Sequence, residues 1–328
     1  MQAIVYTQYG SPDVLQLREV AAPQPADGEV LVKVHATGLN AADRYALSGQ
    51  PIIARLITGG LRRPKHTILG ADVAGVVAGV GRGVTQFQPG NAVYGDLSGV
   101  GSGGLAEYVC APEGVWARKP EGISFEQAAA VPMAAVTALQ GLRDKGQLRA
   151  GQRVLIYGAS GGVGTFAVQI AAALGGEVTA VCSARNADMA RALGATHVID
   201  YAREDFARNG QRYDLILAAN GYRPIGDYRR ALAPGGVYVM VGGTMSQIFQ
   251  ALLLGPLLSA RGGGQIASLT ARPNRTDLAY VGELLQTGKI RPVIDRCYPL
   301  SETPEAFRYL EWEHARGKVV INVYPSGS

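Results

Sequence analysis

A doubly wound parallel α/β sheet, carried beside a smaller β-barrel-like domain, is the fold class this 328-residue sequence predicts. Three observations predict it. The chain is longer than one average domain. Its first third is made of short β-branched runs punctuated by Pro and Gly. Its middle third alternates short apolar runs with helical stretches, the rhythm of strand–helix–strand units whose crossovers cover both faces of a parallel sheet.

In the first third, AIVYT, VLQLREV, EVLVKVHATG and DVAGVVAGVG read as strands. Pro89 and Gly90 mark a turn before NAVYG, and GGLAEYVCAP supplies a further strand. The Ala-rich stretch SFEQAAAVPMAAVTALQGL then reads as helix, kinked or broken at Pro132 because proline lacks the N–H that a helix interior needs. RVLIYGA (strand), VGTFAVQIAAALG (helix), EVTAVCS (strand), NADMARALGA (helix), HVIDY, YDLILAA and GVYVMVGG (strands) follow in order. QIASLTA, a helix around Thr276 to Gln286, VIDRCYPL, the helix ETPEAFRYLEWEHARG and the strand KVVINVY close the chain. The end of the chain is expected to return to the first domain. The predicted boundaries are 1–122 completed by 271–328 for the β domain, and 123–270 for the parallel sheet.

Composition narrows the function classes. Hydrophobic residues make up 47% and charged residues 17%, which suits a large buried core. The formal charge is +5, and its basic clusters (Arg62, Arg63, Lys65; Arg203, Arg208, Arg212) do not interleave with aromatics, so no nucleic-acid partner is expected. A solvated basic surface or attraction of an anionic cofactor both fit them. Cys110, Cys182 and Cys297 are far apart, which predicts a reducing compartment without disulfides. MQAIVYTQYG lacks the features of a signal peptide. The longest apolar run, Ile248 to Ala260, is broken by Gly255 and Pro256 and falls short of the ~20 residues a membrane span needs. A cytoplasmic location is the expectation.

The strand RVLIYGA runs straight into Gly158-Ala159-Ser160-Gly161-Gly162-Val163-Gly164 and a helix. Between strand and helix these glycines have a mechanism. They let the backbone turn tightly and approach a pyrophosphate, which the N–H groups and positive dipole end of the helix attract. Gly164 lets the helix pack close to the sheet. The pattern is that of a Rossmann dinucleotide site, with Ser160, Gly161, Gly162, Val163 and Gly164 as binding residues. NAD sites carry an acidic residue about 20 positions on, to hold the ribose 2′-hydroxyl. Here the second strand ends in Ser183, and Arg185 follows. Both can donate to a 2′-phosphate that a carboxylate would repel, so NADPH is the expected cofactor.

Taken together, GLNAADRYALSGQ (38–50), ILGADVAGVVAGVG (68–81), AAAVPMAAVTAL (128–139), YGASGGVG (157–164), CSARN (182–186), LGATHVIDY (193–201) and HARGKVVINV (314–323) resemble the medium-chain dehydrogenase/reductases, in their zinc-independent quinone oxidoreductase (zeta-crystallin-like) branch. The resemblance implies a GroES-like β-barrel domain around a central Rossmann domain, with an active cleft between them, and a homodimer. Zinc members of the superfamily have Cys where this chain has Asn40, and a His-Glu pair where it has Ala71-Asp72. The structural-zinc lobe is missing: Tyr94 to Leu105 is short and free of Cys. His35, His66, His197 and His314 are scattered. No metal is expected, because zinc needs three or four converging ligands.

The resemblance also implies roles. Asn40 lies beside the nicotinamide, Tyr45 near the acceptor, where it orients a carbonyl or relays a proton, and Thr137 faces the nicotinamide; these three form the expected catalytic set. Asp43 reads as a structural cap. Tyr201 matches a tyrosine near the adenosine ribose phosphate. Val241, Gly242 and Gly243 close a strand whose backbone can meet the carboxamide, and Lys318 matches a recurrent lysine that contacts cofactor or is structural. Where relatives often read DxVG, this chain has Ala218-Ala219-Asn220-Gly221. Ile52 to Lys65 and Ile248 to Leu258 either wall a hydrophobic pocket, form a dimer interface or pack as loops.

The expected activity is NADPH-dependent hydride transfer to a small hydrophobic quinone or α,β-unsaturated carbonyl. Such acceptors spread negative charge themselves, whereas an alcohol needs a Lewis acid to steady its alkoxide. An enoyl-thioester reductase and a non-enzymatic NADPH-binding scaffold remain open alternatives.

Overall fold

The computed structural model describes residues 1–51, 55, 60–219, 223–242, 264–312 and 315–324. The chain forms two compact units. The first comprises Met1–Ala134, Pro273–Gln286 and Pro292–Ser328, the second Ala135–Arg272 and Thr287–Arg291.

The first unit opens with β1 (Gln2–Val5) paired antiparallel with β2 (Gln16–Glu19). The long strand β3 (Glu29–Leu39) leads into helix α1 (Ala41–Ser48), and β4 (Asp72–Val80), β5 (Ala92–Asp96), β6 (Tyr108–Pro112) and β7 (Trp116–Arg118) follow. β3 pairs β4 along one side. Its other side is shared: residues 29–33 pair β6, and residues 36–39 pair a strand from the far end of the chain. Alternation explains β3, because Val30, Val32 and Val34 point into a core with Val73, Val77, Val93 and Trp116.

Helix α2 (Phe125–Ala129) ends before a new helix, α3 (Pro132–Leu139), begins. The expected interruption falls at Pro132, which starts the second helix at the position where its missing N–H costs nothing. α2 belongs to the first unit, so the boundary lies later than the expected 122/123. The reason is Gly38 on β3. A Cβ there would overlap the Ala129 carbonyl oxygen and lie 3.3 Å from the Asp72 Cβ, so only glycine lets the end of α2 dock on this strand.

The second unit runs β8 (Arg153–Tyr157), α4 (Gly162–Ala173), β9 (Glu177–Cys182), α5 (Ala187–Ala192), β10 (His197–Asp200), β11 (Tyr213–Ala218), α6 (Ile225–Ala231), β12 (Leu232–Met240) and β13 (Gln265–Ser268). The sheet order is β10-β9-β8-β11-β12-β13, with every pairing parallel. This is the doubly wound Rossmann order, in which the chain reverses direction across the sheet between β8 and β11. Val154 to Ile156 and Leu215 to Leu217 are buried without alternation, as strands covered on both faces must be.

The chain then adds α7 (Arg275–Gln286), β14 (Ile294–Pro299), α8 (Thr303–Trp312) and β15 (Lys318–Asn322). β15 joins β3, and β14, β15, β3, β4, β5, β6 and β7 form the first unit's seven-stranded sheet. Val319 and Ile321 of β15 share a core with Leu39, Leu47 and Phe307. No helix among the described residues is long and apolar enough to cross a membrane.

Candidate functional site

The glycine loop sits at the carboxyl end of β8. Gly158 takes φ +78°, a value open to glycine at no cost, and the chain then turns into α4. Gly164 is demanded by the protein itself: a Cβ would overlap the Gly158 carbonyl oxygen and come within 2.8 Å of Ala159 Cα. Gly161 differs. A Cβ there would meet only Gly158 O, at 3.7 Å, so the fold leaves room beside it. The first turn of α4 carries no acidic residue to compete with an anion. Ser160 and Gly161 through Val163 are partly buried along this approach.

The other expected cofactor residues gather at the same edge of the sheet. Ala159 N–H donates to Val181 O on β9 at 3.2 Å, and Ser183 follows directly after that strand. Arg185 is exposed in the short turn Ala184–Asn186. Tyr201, 57% exposed, follows β10 and donates its backbone N–H to Cys182 O at 3.3 Å. On the other side of β8, Ala219 N–H donates to Tyr157 O and Val241 N–H to Ala218 O, each at 3.0 Å. Gly242 is next; a Cβ there would stand 3.2 Å from Ala219 O. The glycine loop, Ser183, Tyr201, Val241 and Gly242 thus line the carboxyl ends of neighbouring strands, where open parallel sheets bind ligands. Gly243, Asn220, Gly221 and His314 lie outside the described residues, as do all of Ile248 to Leu258 and most of Ile52 to Gly59.

In the first unit, strand register assembles a buried polar row. Val319 of β15 pairs Leu39 of β3, Gly38 of β3 pairs Asp72 of β4, and Asp72 pairs Asp96 of β5. Lys318, Asn40, Asp72 and Asp96 are therefore neighbours across adjacent strand ends. Lys318 Nζ donates to Asn40 Oδ1 and, at 3.2 Å, to Asp72 Oδ2. Asn40 Nδ2 donates to Asp72 Oδ2 at 3.0 Å and to Gly38 O at 3.3 Å. Met133 N–H donates to Asp72 Oδ1 at 2.8 Å. Asp43 caps α1 as expected, accepting the Asn40 N–H at 2.9 Å and the Gly70 N–H at 3.2 Å.

Burial governs the protonation of this row. It pushes the Asp43 carboxyl up to about 7 against the two backbone donors that favour the ion. Asp96 is pushed up to about 6 by burial and then by the Asp72 charge. Burial also raises Asp72, while Lys318, Asn40 and the Met133 N–H oppose it. The Lys318 side chain is 3% exposed and its ammonium serves Asn40 and Asp72. The geometry therefore gives it partners inside its own unit, in keeping with the structural one of the two roles the sequence leaves open.

Tyr45 is 40% exposed on α1, with the Arg44 guanidinium 5.0 Å from its ring centroid. Thr137 is 8% exposed on α3 and belongs to the second unit. Sequence reasoning missed the parts played by Asp72 and Asp96. The available signal was a charged residue inside the strand DVAGVVAGV, since an aspartate in such a run is buried only with partners. Among the described residues no group of three or more His, Cys, Asp or Glu could hold a metal ion.

Comparison with known proteins shows the family. Residues 26–121 match the alcohol dehydrogenase GroES-like domain family, and residues 193–321 match the zinc-binding dehydrogenase family. The chain is 33% identical to a chloroplast envelope quinone oxidoreductase homolog of Arabidopsis thaliana, covering 98% of each chain. It is 34% identical to 2-methylene-furan-3-one reductase of Solanum lycopersicum, over 99% of this chain and 80% of that one. The solved quinone oxidoreductase of Coxiella burnetii superposes with a TM-score of 0.86 at 32% identity, covering 99% of each chain.

Proposed function

The chain belongs to the medium-chain dehydrogenase/reductase superfamily, in its quinone oxidoreductase-like branch, and from that premise we propose that it passes hydride from NADPH to a quinone or α,β-unsaturated carbonyl without zinc. It is an oxidoreductase of the quinone or enone type and uses a nicotinamide cofactor. The preference for NADPH, the absence of zinc and the residue roles are the proposed part.

The carrying observation is that Ser183 directly follows the strand beside the glycine loop, with Arg185 in the next turn and no acidic residue in positions 183–187. The residues present fit the cofactor. The space beside Gly161 would admit a pyrophosphate, and the free N–H groups at the start of α4, with the helix dipole behind them, would be its donors. Ser183 and Arg185 hold the 2′-phosphate, and Tyr201 lies against the ribose. The backbone of Val241 and Gly242 would meet the carboxamide, and Thr137 would face the nicotinamide; Gly243, expected beside them, lies outside the described residues. When bound, the reduced nicotinamide supplies the hydride from C4.

Asn40 acts as an acceptor in this reading. Both of its Nδ2 hydrogens are committed, to Asp72 and Gly38, and Lys318 takes one lone pair of Oδ1. The remaining lone pair receives an N–H or O–H of the ligand. Lys318 is then a positioning residue for Asn40 rather than a direct cofactor contact. Tyr45, partly exposed, is the side chain with a hydroxyl to spare for the acceptor carbonyl. Water completes the protonation. Zinc does not fit the donor set at this row, which is an amide and a carboxylate already holding the ammonium of Lys318. These residues' contribution is positioning of donor and acceptor. A cytoplasmic homodimer acting on a small hydrophobic substrate completes the proposal, and sedimentation tests the assembly.

The test is cofactor oxidation with NADPH or NADH against 1,4-benzoquinone, a naphthoquinone, a simple enone, an aldehyde and crotonyl-CoA. Turnover of quinone or enone with NADPH, and little of the aldehyde or thioester, is the expected result. Faster turnover of crotonyl-CoA overturns the acceptor assignment, and binding of NADPH without turnover of any acceptor overturns the enzymatic reading.

A further inference from the structure

We propose that Asn186 is a specificity-determining residue that acts through Ser183, fixing the serine hydroxyl as a donor toward the cofactor's 2′-phosphate. The inference rests on the reading of Ser183 as the 2′-phosphate contact and adds a residue to it.

Ser183 and Asn186 bracket the turn Ala184–Asn186. Asn186 N–H donates to Ser183 O at 2.9 Å, which closes the turn, and Asn186 Nδ2 donates to Ser183 Oγ at 3.2 Å. A serine hydroxyl has one proton and two lone pairs. With the asparagine amide on one lone pair, the proton is directed away from Asn186, and an oxygen that accepts one hydrogen bond donates a stronger one. A phosphate oxygen only accepts, so a hydroxyl held as a donor suits it. The 2′-hydroxyl of NADH can donate or accept, and gains less from that orientation.

The environment of Asn186 is the second observation. Its side chain is 3% exposed, yet Oδ1 is buried without a hydrogen-bond partner. An apolar residue of similar size would avoid that cost, so an amide kept here has a use other than packing. The use visible in the structure is the bond to Ser183. Asn186 touches the serine rather than the ligand and is a positioning residue.

The experiment is a double-mutant cycle of Asn186→Ala and Ser183→Ala, with Kd measured for NADPH and for NADH by fluorescence titration. In the starting protein NADPH binds more tightly. Asn186→Ala is expected to weaken NADPH about fivefold, the worth of one hydrogen bond, and to leave NADH within twofold. In the Ser183→Ala background the same substitution is expected to leave the NADPH/NADH ratio unchanged, because the route through the hydroxyl is gone. An unchanged NADPH/NADH ratio in Asn186→Ala, or an equal change in both backgrounds, overturns the proposal. Equal binding of both cofactors by the starting protein, or no loss of preference in Ser183→Ala, instead sinks the 2′-phosphate reading and the proposal with it. If the alanine variant does not fold, Asn186→Asp keeps the shape and reverses the polarity of the bond, and the same ratios decide.

Discussion

Lys318 and Asn40 are joined by a hydrogen bond from the lysine ammonium to the asparagine amide oxygen, although 278 positions separate them in the chain. The register of β15 on β3 makes the contact, and Asp72 on β4 closes it from the other side. A lysine at 3% exposure survives only with such partners.

Removing that ammonium leaves a fully buried carboxylate without its counter-ion. Lys318→Met is expected to lower stability by about 3–5 kcal/mol, measured by urea unfolding, because among the described residues Lys318 is the cation paired with Asp72. The double variant Lys318→Met/Asp72→Asn is expected to regain part of the loss. An equal deficit in both variants would show that the two side chains are not energetically coupled.

Stability should also depend on pH through Asp43 and Asp96. Their folded pKa values, about 7 and about 6, stand above the unfolded carboxylate value of 3.8. Between those limits the folded chain binds more protons than the unfolded one, so these groups make stability fall as pH rises from about 4 to about 7 and leave it level above. Each contributes a slope of at most about 1.4 kcal/mol per pH unit. Asp43→Asn is expected to flatten the profile of unfolding free energy across that window. An unaltered slope would mean that Asp43 titrates normally.

The two glycines of the phosphate loop should separate fold from ligand. Gly164→Ala forces a Cβ against the backbone of Gly158 and Ala159, so both melting temperature and cofactor affinity are expected to fall. Gly161→Ala meets nothing closer than 3.7 Å within the protein. It is expected to keep its melting temperature and to lose cofactor affinity by about tenfold or more, since the methyl fills the pyrophosphate's approach. Unchanged binding in Gly161→Ala would place the pyrophosphate elsewhere.

Ser183→Asp combined with Arg185→Ala replaces two donors by one carboxylate at the end of β9. NADPH affinity is expected to drop by at least about tenfold relative to NADH, roughly 1.4 kcal/mol. A loss of equal size for both cofactors would count against the 2′-phosphate assignment.

Much of this architecture could be read in one dimension. The glycines between β8 and α4, the break before Pro132 and the alternation in β3 are all local: each depends on a residue's own dihedral freedom or on side chains a few positions away. The carboxyl-end positions of Ser183 and Tyr201 follow from the same reasoning, because a strand's end and its sheet neighbours are implied by βαβ succession. Asp72 was read only as a position that lacks a metal ligand, and Asn186 only as part of a motif, since nothing near either in sequence shows what it touches.

By itself, then, the sequence determined a Rossmann unit with a glycine loop between β8 and α4, a β-rich unit, and a second strand followed by Ser183 with no acidic residue up to Ala187. Tertiary structure alone decided that Lys318 serves Asn40 and Asp72, that both amide hydrogens of Asn40 are committed, and that burial raises the Asp43 and Asp96 carboxyls to about 7 and about 6. The physical reason is distance along the chain. Strand register and burial join residues that share no local signal, and a carboxylate's charge state depends on the dielectric and dipoles that the packed fold places around it.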